Sequence, residues 1–180
     1  MAQTLEGKTI AILATDGVER VELEGPRDAI REAGGQIELI GLKAGEFQSF
    51  DHLDPSGTFV AEKGVADANA DDYDGLVIPG GVANGDFLRG DDDAVSFVKG
   101  VAEREIPIAS ICHGPWILIE AGVTDGRTMT SWPTLQTDLR NAGADWVDRE
   151  VVVDQGLVTS RKPDDIPAFS DKAIDAFAAA

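Results

Sequence analysis

The sequence predicts an α/β protein: a mostly parallel β-sheet covered by helices on both faces. Three observations lead there. Strand-like and helix-like segments alternate along the chain. The strand segments are continuous apolar runs, as strands buried on both faces are. No repeat or linker divides the 180 residues, so one domain spanning 1–180 is expected.

Residues 9–14 (TIAILA) form a short apolar run between Lys8 and the loop-forming Thr15-Asp16-Gly17, which reads as a buried strand. Residues 22–33 show helical spacing and stop at Gly34-Gly35. Residues 36–42 read as a second strand. Residues 43–74 are less regular, with a hairpin expected near 59–63. Residues 75–79 (GLVIP) read as a buried strand ending in Gly80-Gly81. A helix over 92–103 carries acids in its first turn, where the helix dipole favours them. Residues 107–111 read as a strand. A helix over 114–121 has Pro115 near its first position and Gly122 just past its end. A helix over 134–142 stops at Gly143. Residues 151–160 read as two strands turning at Asp154-Gln155-Gly156, and 164–179 as a closing helix capped by Asp164 or Asp165. Open parallel sheets bind ligands outside the carboxyl ends of their strands. The loops 15–22, 80–86 and 112–115 should therefore meet there.

Composition narrows the function classes. At 43% hydrophobic the chain can form a sizeable core. The 15 basic against 33 acidic side chains give a net charge of −18, spread along the chain. Such a surface repels phosphate backbones and anionic lipid, so neither nucleic acid nor membrane is an expected partner. No apolar run approaches the roughly 18 residues of a membrane span. Residues 1–8 carry acid and no apolar stretch, so a signal peptide is not expected. Cys112 is the single cysteine, which excludes an intrachain disulfide and a Cys-rich metal site and points to the cytoplasm.

Ser110-Ile111-Cys112-His113-Gly114 lies where a strand stops and a helix starts, with small residues two positions to either side of the cysteine. That is the pattern of a nucleophile elbow, a tight strained turn that presents its central side chain. The helix that follows is expected to favour the thiolate. The N–H groups of Gly114, Gly80 and Gly81 are candidate oxyanion donors. His113 is adjacent in sequence, and neighbouring side chains tend to point apart. It is therefore expected to orient substrate or relay a proton, held by a carboxylate. His52 is expected at the surface. No histidine follows His113, which excludes a glutamine-amidotransferase triad. Glu19 and Glu22 share one helical face near the predicted cysteine. Two anions do not share a dry pocket, so one carboxyl should stay protonated and donate to the sulfur. The glycines from Gly80 to Gly85 have phosphate-loop spacing, but Asp86 stands where lysine is required, so nucleotide binding is rejected. Asp91-Asp92-Asp93 reads as a helix cap, not a metal site, and no cofactor is expected.

These residues resemble the PfpI family, the branch of the Parkinsonism-associated deglycase superfamily that includes intracellular cysteine peptidases and general stress proteins. The resemblance rests on residues 17–23 (GVERVEL), 76–81 (LVIPGG) and 109–115 (ASICHGP), with further matches at 141–144, 150–154 and Ser160-Arg161. It implies a flavodoxin-like three-layer sandwich that forms dimers, and in some members hexamers. It implies Cys112 as nucleophile and Glu22 as the protonated acid beside it. Peptidase-like members pair their histidine with a glutamate of the neighbouring subunit, and Asp86 stands at the matching place, one methylene shorter. Trp132 stands where some of them carry tyrosine. Both departures weaken the peptidase reading.

The expectation is a stress-protective cysteine enzyme of glyoxalase or deglycase type, acting on reactive aldehydes or their adducts through Cys112. The alternatives are an intracellular peptidase and a non-enzymatic sensor or chaperone with an oxidisable Cys112.

Overall fold

The computed structural model describes residues 4–180; the first three residues of the 1–8 stretch lie outside the described residues. At its centre is a seven-stranded sheet with the order β11-β12-β8-β7-β1-β3-β6. The strands are β1 Thr9–Leu13, β3 Gln36–Gly41, β6 Lys63–Gly64, β7 Gly75–Ile78, β8 Ile108–Ile111, β11 Val151–Asp154 and β12 Leu157–Ser160. All neighbours run parallel except the edge pair β11–β12. The register sets Leu13 against Ile40, Ile12 against Val77, and Val77 against Ala109.

Each central strand is apolar on both faces because both faces are covered. Ile10, Ile12, Val77, Ala109 and Val158 pack with α1 (Arg20–Glu32) and α6 (Ile166–Ala179), through Leu23, Ile30, Phe169 and Phe177. Ala11, Leu13, Leu76, Ile78 and Ile108 face the other way. They pack with α2 (Val82–Arg89), α3 (Asp92–Glu103), α4 (Pro115–Glu120) and α5 (Gln136–Asn141). This is the α/β sandwich expected from the continuous apolar runs.

Three differences from the sequence reading have local causes. The segment 80–86 is not a loop: α2 begins at Val82, directly after Gly81, whose φ of 94° only glycine adopts easily. The hairpin lies earlier than 59–63. It pairs β4 (Gly45–Asp51) with β5 (Asp54–Ala61), turns at His52-Leu53, and extends the short β2 (Val18–Glu19). Its turn contains no glycine, and His52 takes φ 57° instead, so the usual turn signal is missing. The closing helix begins at Ile166 after a 3-10 turn, and neither Asp164 nor Asp165 caps it through its side chain. Asp165 is instead buried against Arg161 at 2.8 Å. Asp91 does cap α3, accepting the Ala94 N–H at 2.9 Å.

Candidate active site

The chain leaves β1 toward β3 on one side of the sheet and later returns to build β7 and β8 on the other. The three predicted loops gather at the carboxyl ends of β1, β7 and β8, around a cavity of about 630 Å³. Cys112 sits at its floor, 6% exposed, with φ 61°. A left-handed conformation at a non-glycine residue is held here from both sides. The Cys112 N–H donates to the Ser160 carbonyl at 3.1 Å, and the Cys112 carbonyl accepts the Trp132 N–H at 2.9 Å. The elbow expected from small neighbours is thus present.

Glu22, in the first turn of α1, is fully buried beside the sulfur. Its Oε2 accepts the Gly80 N–H at 2.9 Å, and its Oε1 has no well-formed hydrogen bond. Burial is the main cause that pushes this carboxyl up to about 8, so Glu22 is protonated at neutral pH. A Cβ at Gly80 would collide with Glu22 Oε2 and with Cys112, so glycine is what lets the carboxyl reach the thiol. Burial also pushes the Cys112 thiol up, and a charge on Glu22 would push it further. This corrects the expectation of a thiolate favoured by the next helix. The helix has only six residues and does not offset the desolvation of the sulfur.

His113 corrects a second expectation. Its side chain does not point away: Nδ1 lies 3.2 Å from Cys112 Sγ. The left-handed turn at Cys112 swings the two side chains to the same side. Trp132 stacks on the imidazole at 5.8 Å and Trp116 meets it edge-on at 5.2 Å. Burial lowers His113 to about 4, so the ring is neutral at pH 7, and with the thiol raised its Nδ1 takes the thiol proton only as the sulfur bonds to a substrate.

The candidate oxyanion donors sort by what they already bind. The Gly80 N–H is used by Glu22 and the Gly114 N–H by the Ile111 carbonyl at 2.9 Å. The Gly81 and His113 N–H groups are directed at the sulfur. Asn84, fully buried in α2, fixes this arrangement: its Nδ2 donates to the carbonyls of Pro79 (3.0 Å) and Gly80 (3.1 Å). Its Oδ1 accepts the Thr15 N–H at 2.8 Å, which ties the β1 loop to the glycines. Glu19 closes the same loop: its N–H donates to the Gly80 carbonyl at 3.2 Å and its carboxyl accepts the His52 N–H at 3.1 Å.

Asp86 lies on the cavity rim but is not bonded to His113; it binds Arg89 at 3.0 Å, three residues on along α2. The sequence reading missed Trp116, Asn84 and Phe50, while His52 is exposed as expected and lines the cavity as well. Trp116 follows the recognised Cys-His-Gly-Pro run, and an aromatic at the second residue of a helix gives no signal of its own. Phe50 and His52 reach the cavity only because the hairpin folds over it. Among the described residues no group of His, Cys, Asp and Glu could hold a metal ion, and no helix is long and apolar enough to cross a membrane.

A cysteine on a strained strand-to-helix turn, between a neutral imidazole and a buried protonated carboxyl, defines a cysteine-centred α/β sandwich. Residues 8–176 match the DJ-1/PfpI family, and the chain belongs to it. It is 40% identical over 168 residues to Protein/nucleic acid deglycase 2 of Escherichia coli (strain K12), covering 93% of this chain and 96% of that one. General stress protein 18 of Bacillus subtilis (strain 168) is 41% identical over 169 residues, with the same coverage of both chains. Among solved structures, Drosophila melanogaster DJ-1beta superposes with a TM-score of 0.87 at 25% identity, covering 96% of this chain and 91% of that chain.

Proposed function

We propose that the protein is a cofactor-independent cysteine enzyme that acts on reactive aldehydes or their adducts, as a glyoxalase or deglycase. The observation that carries this reading is the contact of Cys112 Sγ with a neutral His113 Nδ1, 3.2 Å away, at the floor of a cavity sized for small molecules. The deglycase and stress-protein names of the relatives support it.

With methylglyoxal the steps balance as follows. Sγ bonds to the aldehyde carbon as its proton passes to His113 Nδ1. The carbonyl oxygen becomes an alkoxide facing the Gly81 and His113 N–H groups and takes a proton, giving a hemithioacetal. A base removes the proton from that carbon and a proton is returned to the adjacent one, while the hydroxyl on the first carbon loses its proton and the oxygen on the second gains one. The result is a lactoyl thioester on Cys112. Water cleaves the thioester, releasing lactate and restoring the thiol. No oxidant or reductant is consumed. Glu22 stands on the other side of the sulfur with a proton to lend.

The exposed Val82 and Phe87 at the cavity rim support a second proposal, that a second copy of the chain covers this edge and brings its own Asp86 near His113. We place the enzyme in the cytoplasm, in keeping with its single unpaired cysteine.

The test is a steady-state assay of the purified full chain with methylglyoxal, casein and hydrogen peroxide side by side. Lactate production without casein cleavage is the expected outcome. Casein cleavage, or peroxide consumption as the sole reaction, would replace this reading.

A further inference from the structure

The cavity wall has an unusual balance of charge. It carries three carboxyl groups (Glu19, Glu22 and Asp86), the two imidazoles of His52 and His113, four aromatic side chains, and no lysine or arginine. Glu22 is held neutral by burial, and Asp86 is paired with Arg89. Glu19 is different. It is 7% exposed, it takes part in none of the ion pairs among the described residues, and its carboxyl is held by one backbone N–H, that of His52.

A carboxyl that is nearly buried on the wall of the nucleophile's cavity, with no lysine or arginine paired to it and with His52 and Asp51 acting on it in opposite directions, leaves its charge largely unbalanced. Burial raises its pKa accordingly. Its backbone is pinned to Gly80 and its carboxyl is held by the His52 N–H, so the residue is anchored at both ends. The Trp132 and Phe50 rings on the same wall suit a cation and not an anion, because the face of an aromatic ring is negative. The guanidinium of Arg89 does not offset this. Arg89 stands 4.5 Å from the Trp116 ring centre and binds Asp86, and it does not line the cavity.

We propose that Glu19 makes the cavity selective for carbonyl substrates that carry a positive charge, such as an ammonium or guanidinium group near the reacting carbon. The proposal rests on the carbonyl chemistry proposed above for Cys112. Anionic carbonyl compounds are disfavoured by the same carboxylate. Adducts formed on basic side chains or amines fit this class, and free methylglyoxal is a neutral substrate on which the selection does not act.

The test uses three phenylglyoxals with trimethylammonium, hydrogen or carboxylate at the para position, assayed on the full chain. The wild type should favour the cationic over the anionic compound in kcat/KM by about tenfold or more, the size expected for one charge a few ångströms away in a partly screened site. Glu19→Gln keeps the acceptor for His52 N–H and removes the charge. It should shrink the cation-to-anion ratio at least fivefold, to about twofold or less. Comparing ratios between the two proteins cancels the intrinsic reactivity of each compound. Glu19→Asp should restore part of the preference.

An unchanged ratio in Glu19→Gln, with all three compounds turned over, would overturn the proposal. Failure of the wild type to turn over the uncharged phenylglyoxal would instead remove the carbonyl reading, and the proposal with it. A measurement on the wild type alone guards against a variant that does not fold. Phenyltrimethylammonium should inhibit at lower concentration than benzoate, and equal inhibition by the two would overturn the proposal.

Discussion

Replacing Cys112 with alanine is expected to abolish turnover of methylglyoxal while leaving the fold in place. The loss should be about a thousandfold or more, because the sulfur forms the only bond between enzyme and substrate. The fold should survive for local reasons. Alanine occupies the left-handed φ of 61° no less readily than cysteine does, and the two backbone hydrogen bonds that hold the turn do not involve the side chain. The lost sulfur enlarges a cavity that is already open instead of creating a sealed void. Circular dichroism and the thermal unfolding midpoint should therefore match the wild type within a few degrees. Equal activity in the two proteins would remove every reading in which Cys112 performs chemistry.

Replacing Glu22 with glutamine should stabilise the protein at alkaline pH and impair it as a catalyst. The folded state raises this carboxyl from 4.5 to about 8. A group raised on folding contributes stability that is fully present below its unfolded pKa and is lost as pH climbs through its folded pKa. The window is thus pH 4.5 to 8. Across it the wild type should lose about 4 kcal/mol that the glutamine variant, which has no proton to lose, retains. His113 works in the opposite direction. It is lowered from 6.5 to about 4, so its contribution is present above 6.5 and is lost as pH falls through 4. Both proteins share His113, so the difference between their urea unfolding free energies isolates Glu22. That difference should grow in favour of the variant between pH 5 and pH 8. A difference that stays constant would mean that Glu22 is already ionised in the folded protein. Glutamine can still accept the Gly80 N–H, but it cannot lend and recover a proton beside the sulfur, so turnover should fall even as stability rises.

The central sheet was legible because burial on both faces leaves a direct trace: runs such as IAIL within β1 and GLVI of β7 have no polar member to mark an outer face. The elbow was legible for a steric reason, since a strained turn needs small neighbours and Ser110 and Gly114 supply them. Proton placement was only half legible. The rule that two acids do not share a dry site identifies a protonated carboxyl, and Glu22 is the deeper of the pair because it lies one helical turn further in. The rule that adjacent side chains diverge failed at His113, because it assumes a regular backbone and the positive φ at Cys112 breaks that assumption. The expected thiolate failed for an energetic reason: two turns of helix do not outweigh the desolvation of a buried sulfur. The role of Asn84 was illegible, since three of its partner groups are backbone atoms of Thr15, Pro79 and Gly80, and no side-chain pattern records them. The hairpin over the cavity was displaced in the reading because its turn uses a strained His52 where a glycine would have announced it.

A covalent step at Cys112 is probed most directly by single-turnover mass spectrometry. Enzyme in excess over methylglyoxal is quenched in acid at successive times and digested, and the Cys112 peptide is weighed while lactate is counted in the supernatant. Acid denaturation releases the reversible hemithioacetal but preserves a thioester. The Cys112 peptide should first gain the mass of one methylglyoxal and then lose it as lactate appears. Lactate formed at the full rate while the Cys112 peptide stays unmodified at every time would contradict the covalent step.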